Sequence, residues 1–146
     1  MSGKPFFFPK TQNLLEALAT PPPLTSLGPI AARFVHALRL IAFYERIGRD
    51  PVPDLAAKLD SVDVAAKALI LAQELAATWP EKITVKRSCC RYMSHDEATI
   101  GAFVDAATAG DRRGFERALY GLVRPERAHR LWEAALALVS AELRSL

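Results

Sequence analysis

The chain has 146 residues, of which 25 are Ala and 19 are Leu, against 7 Gly, 10 Pro and 2 Cys. About half of the residues are Ala, Leu, Glu, Lys or Arg, a share that is typical of α-helical proteins. The length suits one domain with its own core, and the low cysteine content excludes a disulfide scaffold. The formal net charge of +3 arises wholly after residue 81, which permits a partner that carries negative charge.

Proline is concentrated in the first third of the chain, where eight of the ten prolines precede residue 54. Residues 1–28 are predicted to form an N-terminal arm, and residues 29–146 a helical domain. The arm would begin extended, continue as a short helix over Thr11–Ala19, and end in an extended connector at the proline run 21–23. The three phenylalanines at positions 6–8 would dock either on their own domain or on a neighbouring molecule.

The first helix of the domain is predicted from Pro29 to Ile47. Proline fits the first helical position, and Gly48 fits the position just past the last turn. Large apolar side chains leave little of the helix circumference polar. A helix that is apolar nearly all round is usually buried, so we expect this one to be the central helix of the bundle.

A short helix over Asp54–Leu59 is predicted to precede a long helix that ends at Trp79. Either Asp60 or Ser61 can cap the start of the long helix. Apolar residues at spacings of three and four form two stripes along it, which predicts packing on two sides. Its many alanines would allow another helix to approach closely.

Residues 81–93 lack helical periodicity and are predicted to form an extended connector. Ser94 then opens a helix as a capping box, in which its hydroxyl accepts from a backbone N–H while Glu97 reaches back. Gly110 ends this helix, and two further helices are expected over Asp111–Val123 and from Pro125 onward. Together these elements predict an all-α, single-domain bundle of five to seven helices around a buried central helix.

The connector and the helix start after it carry two adjacent cysteines and a histidine. Cys89 and Cys90 are too close to form an ordinary disulfide with each other, so two free thiols indicate the reducing cytoplasm. With His95 they are candidate ligands for a metal ion such as zinc or iron, or reactive thiols beside the cations of the connector. The alternative is structural: the cysteines fill gaps below the helix start, and the segment His95-Asp96-Glu97 complements the positive end of the helix dipole. No other cofactor is expected.

Two groups of basic residues are candidates for contact with an anionic partner. They are Lys86, Arg87 and Arg91 in the connector, and Arg112, Arg113 and Arg117 in the helix after Gly110. The two helices around Gly110 would then form a helix-turn-helix whose arginines meet phosphates. The second of these helices has no Asn or Gln to read bases and also carries acids, so an ordinary solvated surface is the alternative.

A polar strip crosses the otherwise apolar helix from Pro29 to Ile47. Arg33, His36 and Arg39 follow one another at a spacing of three residues. With Tyr44, they could line a pocket for an acidic ligand. The alternative is that these residues mark the one edge of the helix that faces solvent.

The segment from Cys89 to Glu97 resembles a family of short bacterial proteins of unknown function. That family carries a cysteine cluster, a Met, a Ser or Thr, and Asp-Glu at the opening of a helix. The match consists of Cys89-Cys90, Met93, Ser94 and Asp96-Glu97. The resemblance would cover about residues 29–143, and it implies an all-α domain without implying an activity.

The sequence contains no convincing catalytic set, which favours a non-enzymatic protein of the cytoplasm. We expect a module that binds a protein partner or a second copy of itself, as a homo-oligomer. The arm or the alanine-rich helix over Ser61–Trp79 would form the interface. A metal-binding or thiol-redox protein centred on residues 89–95 is the alternative, and a weak nucleic-acid binder is a second one. Contact with a membrane is not expected.

Overall fold

A computed structural model describes residues 21–146 of the chain, and this range contains six α-helices and one short 3₁₀-helix. The prediction of an all-α bundle of five to seven helices is confirmed. The extended segment and short helix predicted within residues 1–20 lie outside the described residues. None of the helices described in residues 21–146 has both the length and the apolar composition needed to cross a membrane. In chain order the elements are the 3₁₀-helix (Leu24–Ser26), α1 (Pro29–Arg46), α2 (Val52–Leu59), α3 (Val62–Thr78), α4 (His95–Thr108), α5 (Arg112–Leu119) and α6 (Pro125–Arg144).

The four longer helices form a ring in which α1 packs on α3 and α4, and α6 packs on the same two helices. The short helix α2 lies against α1 and α3, and α5 lies against α4 and α6. The ring encloses one main core, to which Phe34, Leu71, Phe103 and Leu131 each contribute a fully buried side chain. Full burial of such a side chain stabilises the fold by about 1.5–3 kcal/mol, so apolar packing is what holds the ring together.

Aromatic contacts fix the short helix α5 to the bundle. The ring of Phe115 meets the rings of Phe103 and Trp132 edge to face, with centroids 5.3 and 5.0 Å apart. The guanidinium of Arg112 lies over the Trp132 ring, 5.2 Å from its centroid. A helix of eight residues is not stable alone, so α5 depends on these contacts for its stability.

Most helix ends follow the predicted capping chemistry. Gly48 adopts a φ of 67° just past α1, in the left-handed region that glycine tolerates best. Ser61 and Asp111 each accept a hydrogen bond from the backbone N–H three residues later, at 3.1 and 2.9 Å. The capping box at Ser94 has both of its hydrogen bonds. Local sequence therefore determines where these helices begin and end.

Helix α2 ends at Leu59 as predicted but begins earlier than predicted. It begins at Val52, two residues before Asp54, because the Asp50 carboxylate accepts a hydrogen bond from the Val52 N–H at 3.0 Å. Asp60 does not cap α3 but closes α2, with a left-handed φ of 55°. Of the two candidate caps for α3, the structure has Ser61.

Helix α5 is shorter than predicted. It ends at Leu119, four residues before Val123. The backbone of Tyr120 leaves the helical conformation, and Gly121 follows with a φ of 81°, which helical geometry does not allow. The apolar pattern of the sequence extends past Leu119 because Leu122 and Val123, which lie in a turn, are half-buried against the core.

Helix α1 is buried along most of its length but not at its C-terminal end. Its buried residues run from Ala31 to Ile41. Phe43 and Ile47 are each 47% exposed, because the described part of the chain places no helix over the last turns of α1. The apolar character of this helix therefore predicts its burial correctly only up to Ile41.

The connector has a partner that the sequence did not reveal. Tyr92 forms an isolated antiparallel bridge with Pro23 of the proline run. The backbone N–H of Leu24 donates to the Arg91 carbonyl, and that of Met93 donates to the Pro22 carbonyl, both at 2.8 Å. This bridge brings the end of the connector back to the entrance of the domain.

Candidate functional site

Arg39 of α1 and Glu97 of α4 form a buried ion pair beneath the connector. Neither side chain is exposed to solvent, and two nitrogens of Arg39 meet the two carboxylate oxygens of Glu97 at 2.7 and 3.0 Å. Arg39 also donates to the backbone carbonyls of Cys90 at 2.7 Å and Tyr92 at 2.9 Å. A charge pair of this bidentate kind is strongly directional. The pair therefore joins α1, α4 and the connector in one network.

The capping box of α4 is what places Glu97 in this network. The Glu97 carboxylate accepts from the backbone N–H of Ser94 at 2.9 Å, and the Ser94 hydroxyl accepts from the Glu97 N–H at 3.0 Å. The same hydroxyl donates to the Thr84 carbonyl, and the Lys86 N–H donates to Glu97 at 3.1 Å. A motif that normally begins a helix thus also anchors the connector.

The buried position of Arg39 determines what it can do. Arg39 was a candidate pocket residue, but its guanidinium is enclosed by Glu97 and by two backbone carbonyls, and it does not line either of the clefts described below. Tyr44 does not line them either, and its ring packs edge to face on Phe43, with centroids 5.7 Å apart. Arg39 therefore positions the connector and is not placed to bind a ligand.

The two cysteines lie in the exposed part of the connector. Cys89 is exposed, Cys90 is partly buried, and neither forms a disulfide. His95 is the exposed first residue of α4. Within residues 21–146, no group of three His, Cys, Asp or Glu side chains is arranged to hold a metal ion. Metal binding at these three residues has no support from the described geometry, and both metal binding and thiol chemistry stay predictions.

The candidate cations for an anionic partner are arranged in two ways. Four of them are exposed and form no ion pair with another described residue, namely Lys86, Arg87, Arg91 and Arg113. In α5, Arg112 pairs with Glu116 at 3.1 Å, and Arg117 lies 4.0 Å from Asp111. Acids therefore offset two of the three arginines on the helix that would meet nucleic acid, which leaves that function a prediction.

A cleft of about 420 Å³, the α1–α2 cleft, lies between the first two helices of the domain. Two of the candidate pocket residues, Arg33 and His36, line it together with Lys58 of α2 and Ser88 of the connector. The remaining lining side chains are apolar, namely Ala37, Leu40, Leu55 and Leu59. The cleft therefore combines basic groups with an apolar surface.

Arg33 is held in a defined orientation at the edge of this cleft. Its Nε donates to the Glu142 carboxylate of α6 at 2.8 Å, and one Nη donates to the Leu59 carbonyl at 2.8 Å. The Arg33 side chain is 39% exposed, whereas that of Glu142 is 8% exposed. The guanidinium has five N–H groups, and three of them have no hydrogen-bond partner among the described residues.

The pKa of His36 indicates which sign of charge prevails in the cleft. Partial desolvation lowers its pKa below the ordinary value of 6.5, and the positive charges of Arg39 and Lys58 lower it further. The negative charge of Glu97 acts in the opposite direction and does not compensate. Cations therefore dominate the potential at this imidazole.

A second cleft, of about 440 Å³, lies where the start of α1 meets the end of α6. Asp105 of α4 lines it and accepts a hydrogen bond from the Gly28 N–H at 3.0 Å, just before α1 begins. Burial raises the pKa of the Asp105 carboxyl, while the hydrogen bond from Gly28 lowers it to a smaller extent. Asp105 thus supplies a hydrogen-bond acceptor for the residue that precedes α1.

Helix α3 presents an exposed stripe that carries no charge. Its members recur at spacings of four, four, three and four residues, and we call them the α3 stripe: Val62, Ala66, Ile70, Gln73 and Ala77. Val62 is 75% exposed and Ile70 is 48% exposed. The opposite face of α3 packs on α1, α2 and α6. The two-sided apolar character of this helix therefore corresponds to one buried side and one exposed side.

Several site residues were missed by sequence reasoning. Glu97 was recognised only as a cap, and the cleft residues Lys58 and Ser88 gave no signal at all. One signal for the ion pair was available, because Arg39 has no acid three or four residues away on its own helix. A buried arginine without a local partner implies a distant acid, although the spacing cannot say which one.

Comparison of the chain with protein-family models, with curated proteins and with solved structures gives no match. Function is therefore inferred from the residues and contacts described above.

Proposed function

We propose that the chain is a non-enzymatic, self-associating module of the cytoplasm, in which the α3 stripes of two copies pack against each other. The observation that carries this proposal is the stripe itself. It runs for about 22 Å along the helix at 1.5 Å per residue, and it carries no charged side chain. An uncharged and mostly apolar surface of this regular spacing is typical of helix pairing.

The small residues of the stripe favour a helix as the occupant. Ala66 and Ala77 have short side chains, so a second helix can come close to the α3 backbone. Ile70 lies at the middle of the stripe, and in an antiparallel pair with two-fold symmetry it would meet Ile70 of the second copy. Burial of a side chain of this size contributes up to about 1.5–3 kcal/mol.

The charges beside the stripe favour a second copy over an unrelated partner. Lys67 and Glu74 lie on the same flank of α3, three residues before and four residues after Ile70. In the antiparallel pair, this flank faces itself, and Lys67 of each copy lies opposite Glu74 of the other. The surface is therefore complementary to itself, as a two-fold interface requires.

The test is the oligomeric state of the full chain, measured by light scattering coupled to size-exclusion chromatography from about 10 µM to about 1 mM, a range that covers weak association. We expect a dimer that Ile70→Lys converts to a monomer. Ile47→Lys is the matched control, since Ile47 is exposed to nearly the same extent (47% against 48%) but lies just past the end of α1. Circular dichroism confirms that both variants stay folded.

A charge exchange tests the antiparallel arrangement. Lys67→Glu and Glu74→Lys each place like charges opposite one another and are expected to weaken the dimer. An equimolar mixture of the two variants restores opposite charges at both contacts, so it is expected to form a mixed dimer. A wild-type chain that stays monomeric at every concentration would refute the proposal, and so would equal dissociation by Ile70→Lys and Ile47→Lys.

A further inference from the structure

The α1–α2 cleft combines a size, a charge and a surface that fit one class of ligand. We propose that it binds a small organic anion, a carboxylate joined to a short apolar body. This binding site is separate from the α3 stripe, and it uses residues of α1, α2 and the connector.

The apolar part of the cleft would hold the hydrocarbon part of the ligand. The hydrocarbon lining of the cleft consists of Leu40, which is half-buried, and of Ala37, Leu55 and Leu59, which are buried. The volume of about 420 Å³ lies within the range of roughly 300–1,000 Å³ that is typical of small-molecule sites. A short aliphatic chain can therefore be removed from water here, at a gain of about 0.8 kcal/mol for each buried CH₂ group.

The polar part of the cleft would bind the carboxylate of the ligand. Arg33 is already oriented by Glu142 and Leu59, so it loses little side-chain freedom when it binds a carboxylate. Lys58 forms no ion pair with another described residue, and Ser88 adds a hydroxyl. No acidic side chain from residues 21–146 lines the cleft.

The charged groups around the cleft leave a positive balance. Glu142 is engaged with Arg33 from the side of α6, and Glu97 is buried in its pair with Arg39. Each of these acids is matched by its own arginine, so Lys58 is the remaining cation and has no acidic partner among the residues that the structure describes. A carboxylate in the cleft would supply the missing negative charge.

The experiment is a titration of the isotope-labelled full chain with hexanoate, followed by nuclear magnetic resonance. We expect hexanoate to shift signals of cleft residues in a saturable way. Acetate lacks the apolar body, and hexylammonium lacks the negative charge, so both are expected to bind more weakly. We expect Lys58→Glu to weaken hexanoate binding about fivefold, since it removes one exposed attraction and adds a repulsion of similar size. Lys82→Glu makes the same change of charge at an exposed residue that does not line the cleft, and it is expected to leave binding unchanged.

The imidazole of His36 provides a second and independent measurement. A bound anion stabilises the protonated ring, so saturating hexanoate is expected to raise the pKa of His36, measured from its ring proton signals. The proposal fails if hexanoate shifts no cleft signal. It also fails if hexylammonium binds as well as hexanoate, or if Lys58→Glu and Lys82→Glu weaken binding equally.

Discussion

Replacement of Arg39 by Met tests the energetic role of the buried ion pair. The substitution keeps an unbranched apolar side chain of similar length but removes the cation. Glu97 would then stay buried with only two backbone N–H groups as donors, and the carbonyls of Cys90 and Tyr92 would lose their donor. An uncompensated buried charge costs about 3–5 kcal/mol. We expect a loss of this size from a total stability of about 5–15 kcal/mol for a domain.

The assay is denaturation by urea followed by circular dichroism, with Arg33→Met as the matched control. Arg33 pairs with Glu142 at a similar distance, but its own side chain is 39% exposed and its loss leaves one carboxylate, 8% exposed, without a donor, so we expect a smaller cost of about 1–3 kcal/mol. Hydrogen exchange gives a local measurement, because the amides of Lys86 and Ser94 are bound by Glu97 and are expected to exchange faster in the Arg39 variant.

If Arg39→Met does not fold, Arg39→Lys provides the measurement. Lysine keeps the positive charge but cannot reproduce the bidentate contact or reach both carbonyls, so we expect an intermediate loss of stability. A free energy of unfolding that falls no further in the Arg39 variants than in Arg33→Met would refute this account of the network.

Three further outcomes follow from individual residues. Ser94→Ala removes a cap and a hydroxyl donor together and is expected to cost about 1–2 kcal/mol in urea denaturation, whereas no loss would contradict its dual role. Because the pKa of Asp105 is raised, the fold loses stability as the pH rises through that pKa and the carboxylate becomes charged. Asp105→Asn keeps an acceptor for the Gly28 N–H, so we expect it to be at least as stable as wild type at pH 7. A less stable variant would contradict this. Because the pKa of His36 is lowered from 6.5, the fold loses stability as the pH falls below 6.5. His36→Gln is therefore expected to reduce the fall in melting temperature between pH 7 and about pH 5. A melting temperature that depends on pH as strongly as in wild type would count against this account.

The helix boundaries were predictable because they depend on neighbouring residues. Pro29, Ser61, Ser94 and Asp111 start helices through hydrogen bonds or backbone angles that involve residues at most three positions away. The failures have the same origin. Helix α5 stops at Leu119 because of a local left-handed turn at Gly121, while the apolar pattern beyond it belongs to a turn that packs.

The candidate site was only partly predictable. Arg33 and His36 share a cleft because they lie one turn apart on α1, which the spacing indicates. Lys58 and Ser88 join them through the packing of α2 and the connector. Arg39 has the same spacing from His36, but it turns away from the cleft, because a buried acid on α4 binds it.

The sequence by itself determined an all-α bundle, the caps that delimit its helices and the apolar faces that build its core. Only the tertiary structure decided which apolar face of α3 stays exposed, and that Arg39 meets Glu97, 58 positions away. The physical reason is the range of the interactions. Caps and periodicity act within one or two turns, whereas a buried ion pair and an uncovered stripe depend on which helices become neighbours after the chain has folded.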